Sequence, residues 1–172
     1  MASSVAISEY SASWPALFSR ERALFESVCP AGSVQVEHIG STAIPGCAGK
    51  GIVDLVALYP RRRLEETRQA IDRLGFQHQR AGHEFPEERP MRVGAIEYER
   101  AIYRLHVHIV AAESAEAKAL YRFRDVLRID AKLRDAYQAR KRAILESGTS
   151  DPAGYTHAKG EFINAVIGSS AP

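Results

Sequence analysis

Cysteine is scarce in this chain: Cys29 and Cys47 are the only two in 172 residues. Two thiols cannot build a disulfide framework, so stability must come from a packed core, and a reducing cytoplasm is the expected compartment. Long apolar runs are also missing. None approaches the roughly 20 residues needed to span a bilayer as a helix, and the first residues lack a basic n-region, so no membrane partner is expected. An excess of either charge is absent as well. The 23 basic and 21 acidic residues leave a net charge of +2, which selects no nucleic-acid partner, and no specific nucleic-acid binding is expected. The compact basic run, Arg61, Arg62 and Arg63, follows Pro60 at the expected start of a helix and reads as solvated surface. There is no P-loop G-x-x-x-x-G-K-[ST], no internal repeat and no low-complexity segment.

What remains is 45% hydrophobic and 26% charged, ordinary for a soluble globular fold, and the whole span 1–172 is expected to form a single domain. Trp14, Leu17, Phe18, Leu24, Phe25 and Val28 recur at helical spacing, with Ser13 as the expected N-cap and Pro15 in the first turn. Cys29-Pro30-Ala31-Gly32 breaks that helix. Strands are expected at about 33–39 and 51–58, then a helix over about 62–74 that Gly75 ends. From Phe76 to Tyr98, Gly82, Pro86, Pro90 and Gly94 imply short strands and turns. Residues 101–111 read as a strand, and three helices follow at about 114–128, 130–147 and 152–167, the last opened by Ser150-Asp151-Pro152. Strands grouped centrally between helices indicate an α+β domain with a mixed sheet, flanking helices and a C-terminal helical part.

The segment from His38 to Val56, HIGSTAIPGCAGKGIVDLV, carries the most chemistry. A strand ends in the turn Gly40-Ser41-Thr42. A loop punctuated by Pro45, Gly46 and Gly49 leads to Lys50, and a second apolar strand holds one acid, Asp54. A carboxylate within such a run is costly unless paired, hydrogen-bonded or metal-bound. A glycine-serine turn brings backbone N–H groups and a hydroxyl up to phosphate. Together they indicate an anion-plus-cation site suited to a nucleoside triphosphate and Mg²⁺. The competing reading makes Asp54 a cap for the glycine loop. Strand alternation puts Leu105, Val107 and Ile109 on one face and Arg104, His106 and His108 on the other. Imidazoles ligate metals or move protons, and a guanidinium forks onto phosphate. On an edge strand the same face would merely be solvated. In the last helix, Lys159 shares a stripe with Tyr155, Ala158, Phe162, Ile163 and Val166, so it must snorkel or point at an anion. Arg124, between Leu120 and Leu127 in helical register, poses the same choice. Ion pairing with Asp125, Asp130 or Glu161 is the structural alternative for both cations. Lys50 is open between phosphate and solvent, and His38 between the site and the core. No His-Asp arrangement is legible around Cys47, so it reads as structural.

The hallmark resembles that of the GrpB family of small bacterial proteins, within the nucleotidyltransferase superfamily of the DNA polymerase β type. The likeness extends to Tyr10 and Trp14 through Phe18, to Leu105-His106-Val107, to Phe123-Arg124-Asp125, and to Tyr155, Lys159 and Phe162. It implies a nucleotidyltransferase-like fold. It also implies Asp54 and His106 as catalytic residues and as ligands of Mg²⁺ or another divalent ion; His108, extra to the family pattern, joins them as a catalytic candidate through its place on the same strand face. Gly40, Ser41, Thr42 and Lys50 would bind the phosphates of ATP or another nucleoside triphosphate, and Arg104, which departs from the family, joins them by its guanidinium chemistry. Arg124, Tyr155 and Lys159 would bind a small-molecule acceptor. The implied activity is transfer of a nucleotidyl group to that acceptor, or its activation for ligation. The alternative is a non-catalytic binding or assisting module, since related domains occur fused to dephospho-CoA kinase. Two departures from the family stand out: Arg104 replaces the first histidine of a His-apolar-His pair, and Gly51 replaces a proline. Val56 occupies the place of the second carboxylate that polymerase-type two-metal catalysis uses, a place the family also commonly leaves without an acid.

Overall fold

The computed structural model describes residues 6–29, 34–79, 85–147 and 152–168. Helix α1 (Ser13–Val28) precedes strand β1 (Gln35–Ile39), a single 3-10 turn (Ser41–Ala43) and strand β2 (Ile52–Tyr59). Helix α2 (Leu64–Arg73), strand β3 (Gln77–His78) and the hairpin β4 (Met91–Tyr98) and β5 (Ala101–Ala111) follow. Helices α3 (Ala115–Ile129), α4 (Ala131–Glu146) and α5 (Pro152–Gly168) complete the described chain. The five strands form one sheet in the order β1-β2-β5-β4-β3. Only the β2–β5 pair is parallel; the other neighbours are antiparallel. This is the expected α+β architecture with a mixed sheet, and β5 is central rather than an edge.

Strand alternation decides the register. Leu105, Val107 and Ile109 are fully buried with Val53, Leu55 and Ala57 of β2, beneath Trp14, Leu17 and Phe25 of α1 and Ile71 of α2. Each such side chain contributes about 1.5–3 kcal/mol by leaving water. A one-residue slip of β5 would therefore forfeit three of them and bury Arg104, His106 and His108 instead. On the opposite face Ile39, Val56, Leu58 and Val110 pack on Ala117, Leu120 and Tyr121 of α3, while Asp54, His106 and His108 keep partial exposure. A third cluster joins Ile44 and Cys47 of the glycine loop to Phe123, Leu127, Tyr137 and Val166 of the C-terminal helices.

Several local signals work as expected and some do not. The Ser114 hydroxyl accepts the Ala117 N–H at 3.1 Å and starts α3. Gly75, at φ +89°, closes α2 by donating to the Asp72 carbonyl. Ser13, by contrast, lies inside α1, and its N–H goes to the Ser11 hydroxyl at 3.2 Å. Short strands were expected before Tyr98, yet β4 runs eight residues and pairs with β5 throughout. Its turn is Glu99-Arg100, both at positive φ without glycine or asparagine. Ser150 and Asp151, the expected start of α5, lie outside the described residues, as do Gly82 and His83.

Candidate functional site

The site begins with the register of two parallel strands. Asp54 is paired with His106, and Val56 with His108, so even-numbered residues of both strands share one face. His106 Nδ1 lies 3.4 Å from Asp54 Oδ1, and His108 Nε2 lies 4.0 Å from the same oxygen. Burial by itself raises the Asp54 carboxyl. His106, then His108 and Lys159, oppose it and hold the net value below the ordinary carboxylate range. Asp54 is thus the ionised centre of a ring of nitrogen groups, still 28% exposed at its side chain. Burial pushes His108 down to about 4, and Arg89 Nη1 donates to its Nδ1 at 3.2 Å. A neutral imidazole whose Nδ1 accepts must carry its proton on Nε2. His108 therefore presents an N–H towards Asp54 rather than a lone pair.

The glycine loop is shaped around that carboxylate. Gly40 sits at φ +70°, ψ −173°, a region essentially reserved for glycine. A Cβ there would lie 2.6 Å from Asp54 Oδ2. Gly49 plays the same part for the serine, since a Cβ on it would lie 2.8 Å from Ser41 Oγ. The loop is pinned to the start of the chain by paired hydrogen bonds between Ser8 and Gly49, at 2.7 and 2.9 Å. Ser41 and Thr42 open the 3-10 turn, whose first N–H groups have no partner within it. The Thr42 hydroxyl departs from the expected phosphate contact: it is buried and bonded to His38 Nε2 at 2.9 Å. His38 is a satisfied core histidine. It stacks on Phe18 at 5.1 Å, and burial pushes it down to about 4.

Two lysines and a tyrosine face the loop from its exit and from α5. Tyr155 is 1% exposed, and burial raises its hydroxyl to about 12. Lys50 Nζ lies 4.3 Å from the centre of the Tyr155 ring, and Lys159 Nζ lies 5.5 Å from it. Burial and the neighbouring Lys159 bring Lys50 down to about 8. Burial also lowers Lys159, against the pull of Asp54. Among the described residues neither ammonium group has a hydrogen bond or ion pair. Two half-buried cations therefore share one carboxylate field without a carboxylate of their own.

The remaining expected residues divide. Arg104 lies on the Asp54 face, opposite Ile52, but is exposed at the open end of the sheet. Of the alternatives open for Arg124, ion pairing describes its geometry. Its Nη1 donates to Glu37 Oε2 at 3.2 Å and to the His38 carbonyl at 3.1 Å, and its Nε to Asp125 Oδ1 at 2.7 Å. It fastens α3 to β1. Val56, where a second carboxylate would stand, is fully buried against α3.

Sequence reasoning missed the residues that hold this assembly. Arg89 fixes His108 while its Nε donates to Glu116 at 2.8 Å and its guanidinium lies over Phe85. Arg128 Nε donates to the Ala43 carbonyl at 2.9 Å, and Gln138 Oε1 accepts from the Ala48 N–H at 2.8 Å. Lys141, buried, donates to the Ala48 carbonyl and lies 3.4 Å from Cys47 Sγ. Burial lowers this lysine and raises the Cys47 thiol. One faint signal existed: Tyr137, Lys141 and Ile144 recur at three- and four-residue spacing, placing a lysine on an apolar stripe.

Comparison with known proteins agrees with this architecture. The family described as GrpB protein matches residues 4–168. A UPF0157 protein of Streptomyces coelicolor is 34% identical over 166 residues, covering 94% of this chain and 82% of that one. The Glutamate-rich protein GrpB of Alkalihalophilus pseudofirmus is 24% identical, covering 92% and 91%. The crystal structure of a conserved GrpB protein from Enterococcus faecalis superposes with a TM-score of 0.71 at 19% identity, covering 95% of this chain and 98% of that one. Cid1 in complex with its short product ApU superposes at 0.53 and 14% identity, and this chain spans 48% of its length. The last two likenesses show the fold, which is nucleotidyltransferase-like. Among the described residues no helix is long and apolar enough to cross a membrane.

Proposed function

The chain belongs to the GrpB family, and from that membership we propose that it binds ATP or another nucleoside triphosphate and transfers the nucleotidyl group to a small-molecule acceptor. One observation carries the reading: Lys50 and Lys159, without an ion pair among the described residues, converge on Tyr155 beside a carboxylate packed on Gly40. A polyphosphate satisfies the Lys159 ammonium group and comes within reach of Lys50, with the first N–H groups of the Ser41 turn as further donors and Arg104 at the exposed rim. The donor set fits one Mg²⁺ and not two. Asp54 is the one carboxylate on this face of β2, Val56 is apolar, and no group of three or more metal-binding side chains is found among the described residues. A single Mg²⁺ held by Asp54 and by substrate phosphates, with water completing its shell, is the ordinary mode for that ion. When bound it would supply charge neutralisation at the phosphates. The chain's own groups do the rest. Asp54 orients His106 through Nδ1, leaving Nε2 to take a proton from the acceptor, and His108 offers the N–H that Arg89 fixes. The reading includes a cytoplasmic site of action, supported by two free, buried thiols.

Thermal denaturation with each nucleoside triphosphate, with and without Mg²⁺, tests this. At a ligand concentration of 100 Kd, binding stabilises by about 2.7 kcal/mol. For a chain of this size that is a rise of roughly 5–11 °C in Tm. The buried Val56 favours a second reading, a binding or assisting module that does no chemistry. No shift with any nucleotide and metal would overturn the first reading and leave the second.

A further inference from the structure

We propose that Lys50 is a covalent nucleophile, carrying the nucleotidyl group as a phosphoramidate before it reaches the acceptor. The inference rests on the nucleotide reading above and adds an intermediate to it. Lys50 directly follows Gly49, the residue whose missing side chain lets the Ser41 hydroxyl approach at the loop. Its Nζ is held over the Tyr155 ring at 4.3 Å, so the group is located without an ion pair among the described residues. Lys159, 5.5 Å from the same ring, remains as a second cation to neutralise the phosphate under attack.

The missing second carboxylate gives this arrangement its purpose. Two-metal transfer activates an acceptor oxygen with an ion that Val56 cannot hold. A lysine amine needs no metal to become nucleophilic. It needs only to lose its proton, which a half-buried position beside another cationic group promotes. Burial and Lys159 bring Lys50 to about 8, so a useful fraction is neutral near physiological pH.

The steps balance as follows. Lys50 Nζ gives a proton to solvent and attacks the α-phosphorus. The N–P bond forms, the P–O bond to the β-phosphate breaks, and pyrophosphate leaves with the electron pair. An acceptor hydroxyl then attacks the same phosphorus while His106 Nε2 takes its proton. The new P–O bond forms, the N–P bond breaks, and the lysine nitrogen recovers a proton.

The 172-residue chain, incubated with Mg²⁺ and each of the four nucleoside triphosphates plus pyrophosphatase, is examined by intact mass spectrometry. The expected result is a single added nucleoside monophosphate, labile in acid and stable in alkali as a phosphoramidate is, mapping to Lys50. Lys50→Arg, which keeps the charge, and Lys50→Ala should both lose the adduct. Thermal protection of the wild type is measured on the same samples. Protection without any adduct, or an adduct on another residue, would overturn Lys50 as nucleophile and leave nucleotide binding standing. Absence of protection with every nucleotide would remove both.

Discussion

Replacing Gly40 with alanine tests whether the glycine loop is built around the Asp54 carboxylate. The backbone at φ +70°, ψ −173° costs a non-glycine residue about 1–3 kcal/mol. The new Cβ would also sit 2.6 Å from Asp54 Oδ2, with Asp54 Cβ at 3.2 Å and Cγ at 3.3 Å. Overlap of that kind in a packed site costs about a further 1–3 kcal/mol. The sum is about 2–6 kcal/mol. At roughly 2–4 °C per kcal/mol for a chain of this length, Tm should fall by at least about 4 °C. Urea unfolding of Gly40→Ala, Asp54→Ala and the double variant separates the two costs. Asp54→Ala removes Oδ2 and Cγ and leaves Cβ at 3.2 Å as the nearest neighbour. The double variant should therefore be more stable than additivity allows, by about 1 kcal/mol or more. A Gly40→Ala protein within about 0.5 kcal/mol of wild type would refute the strained geometry. Additive losses would refute the contact with the carboxylate.

Asp54→Asn should abolish Mg²⁺-dependent protection by nucleotide while leaving the far-ultraviolet circular dichroism unchanged; wild-type protection in this variant would remove Asp54 from the site. Lys159→Met should weaken nucleotide affinity at nearly constant Tm, whereas Arg124→Met should cost stability. Discounted for the partly exposed Glu37 and Asp125 it leaves behind, that cost is about 1–3 kcal/mol; the opposite pattern in calorimetry and melting would exchange the roles of the two cations. Acid should destabilise the fold through His38, which is 3% exposed and lowered to about 4 from 6.5. Below pH 6.5 the unfolded chain binds a proton that the folded chain refuses, so stability falls with pH until about pH 4, where both states are protonated. His38 accounts for roughly 3 kcal/mol of that loss and His108, lowered to the same value, adds to it; urea midpoints between pH 7 and 4 read the sum, and a flat profile would contradict the buried neutral imidazoles.

Much of the molecule was written locally. The two-residue alternation from Arg104 to Ile109 placed two histidines on one face, because the pleat leaves no other choice. The lone Asp54 among Ile52, Val53, Leu55 and Val56 marked a site, because an unpaired acid does not persist in such a run. Ser114 and Gly75 bounded helices through hydrogen bonds made within a few residues. The Glu99-Arg100 turn carried no such sign. Its two positive-φ residues are imposed by eight paired positions between β4 and β5, and long-range pairing outweighs local preference. The fate of the cations was equally hidden. Arg124 and Lys159 both interrupt apolar stripes, and nothing nearby in sequence says that the first meets Glu37, 87 positions away, while the second lies beside Tyr155 with no ion pair among the described residues. Arg89 and Lys141 became legible only once β5 and the glycine loop were in place. Helical and strand periods state which way a side chain points, but the group it meets is set by how α3, α4 and α5 close over the loop, and that is decided by packing between distant segments.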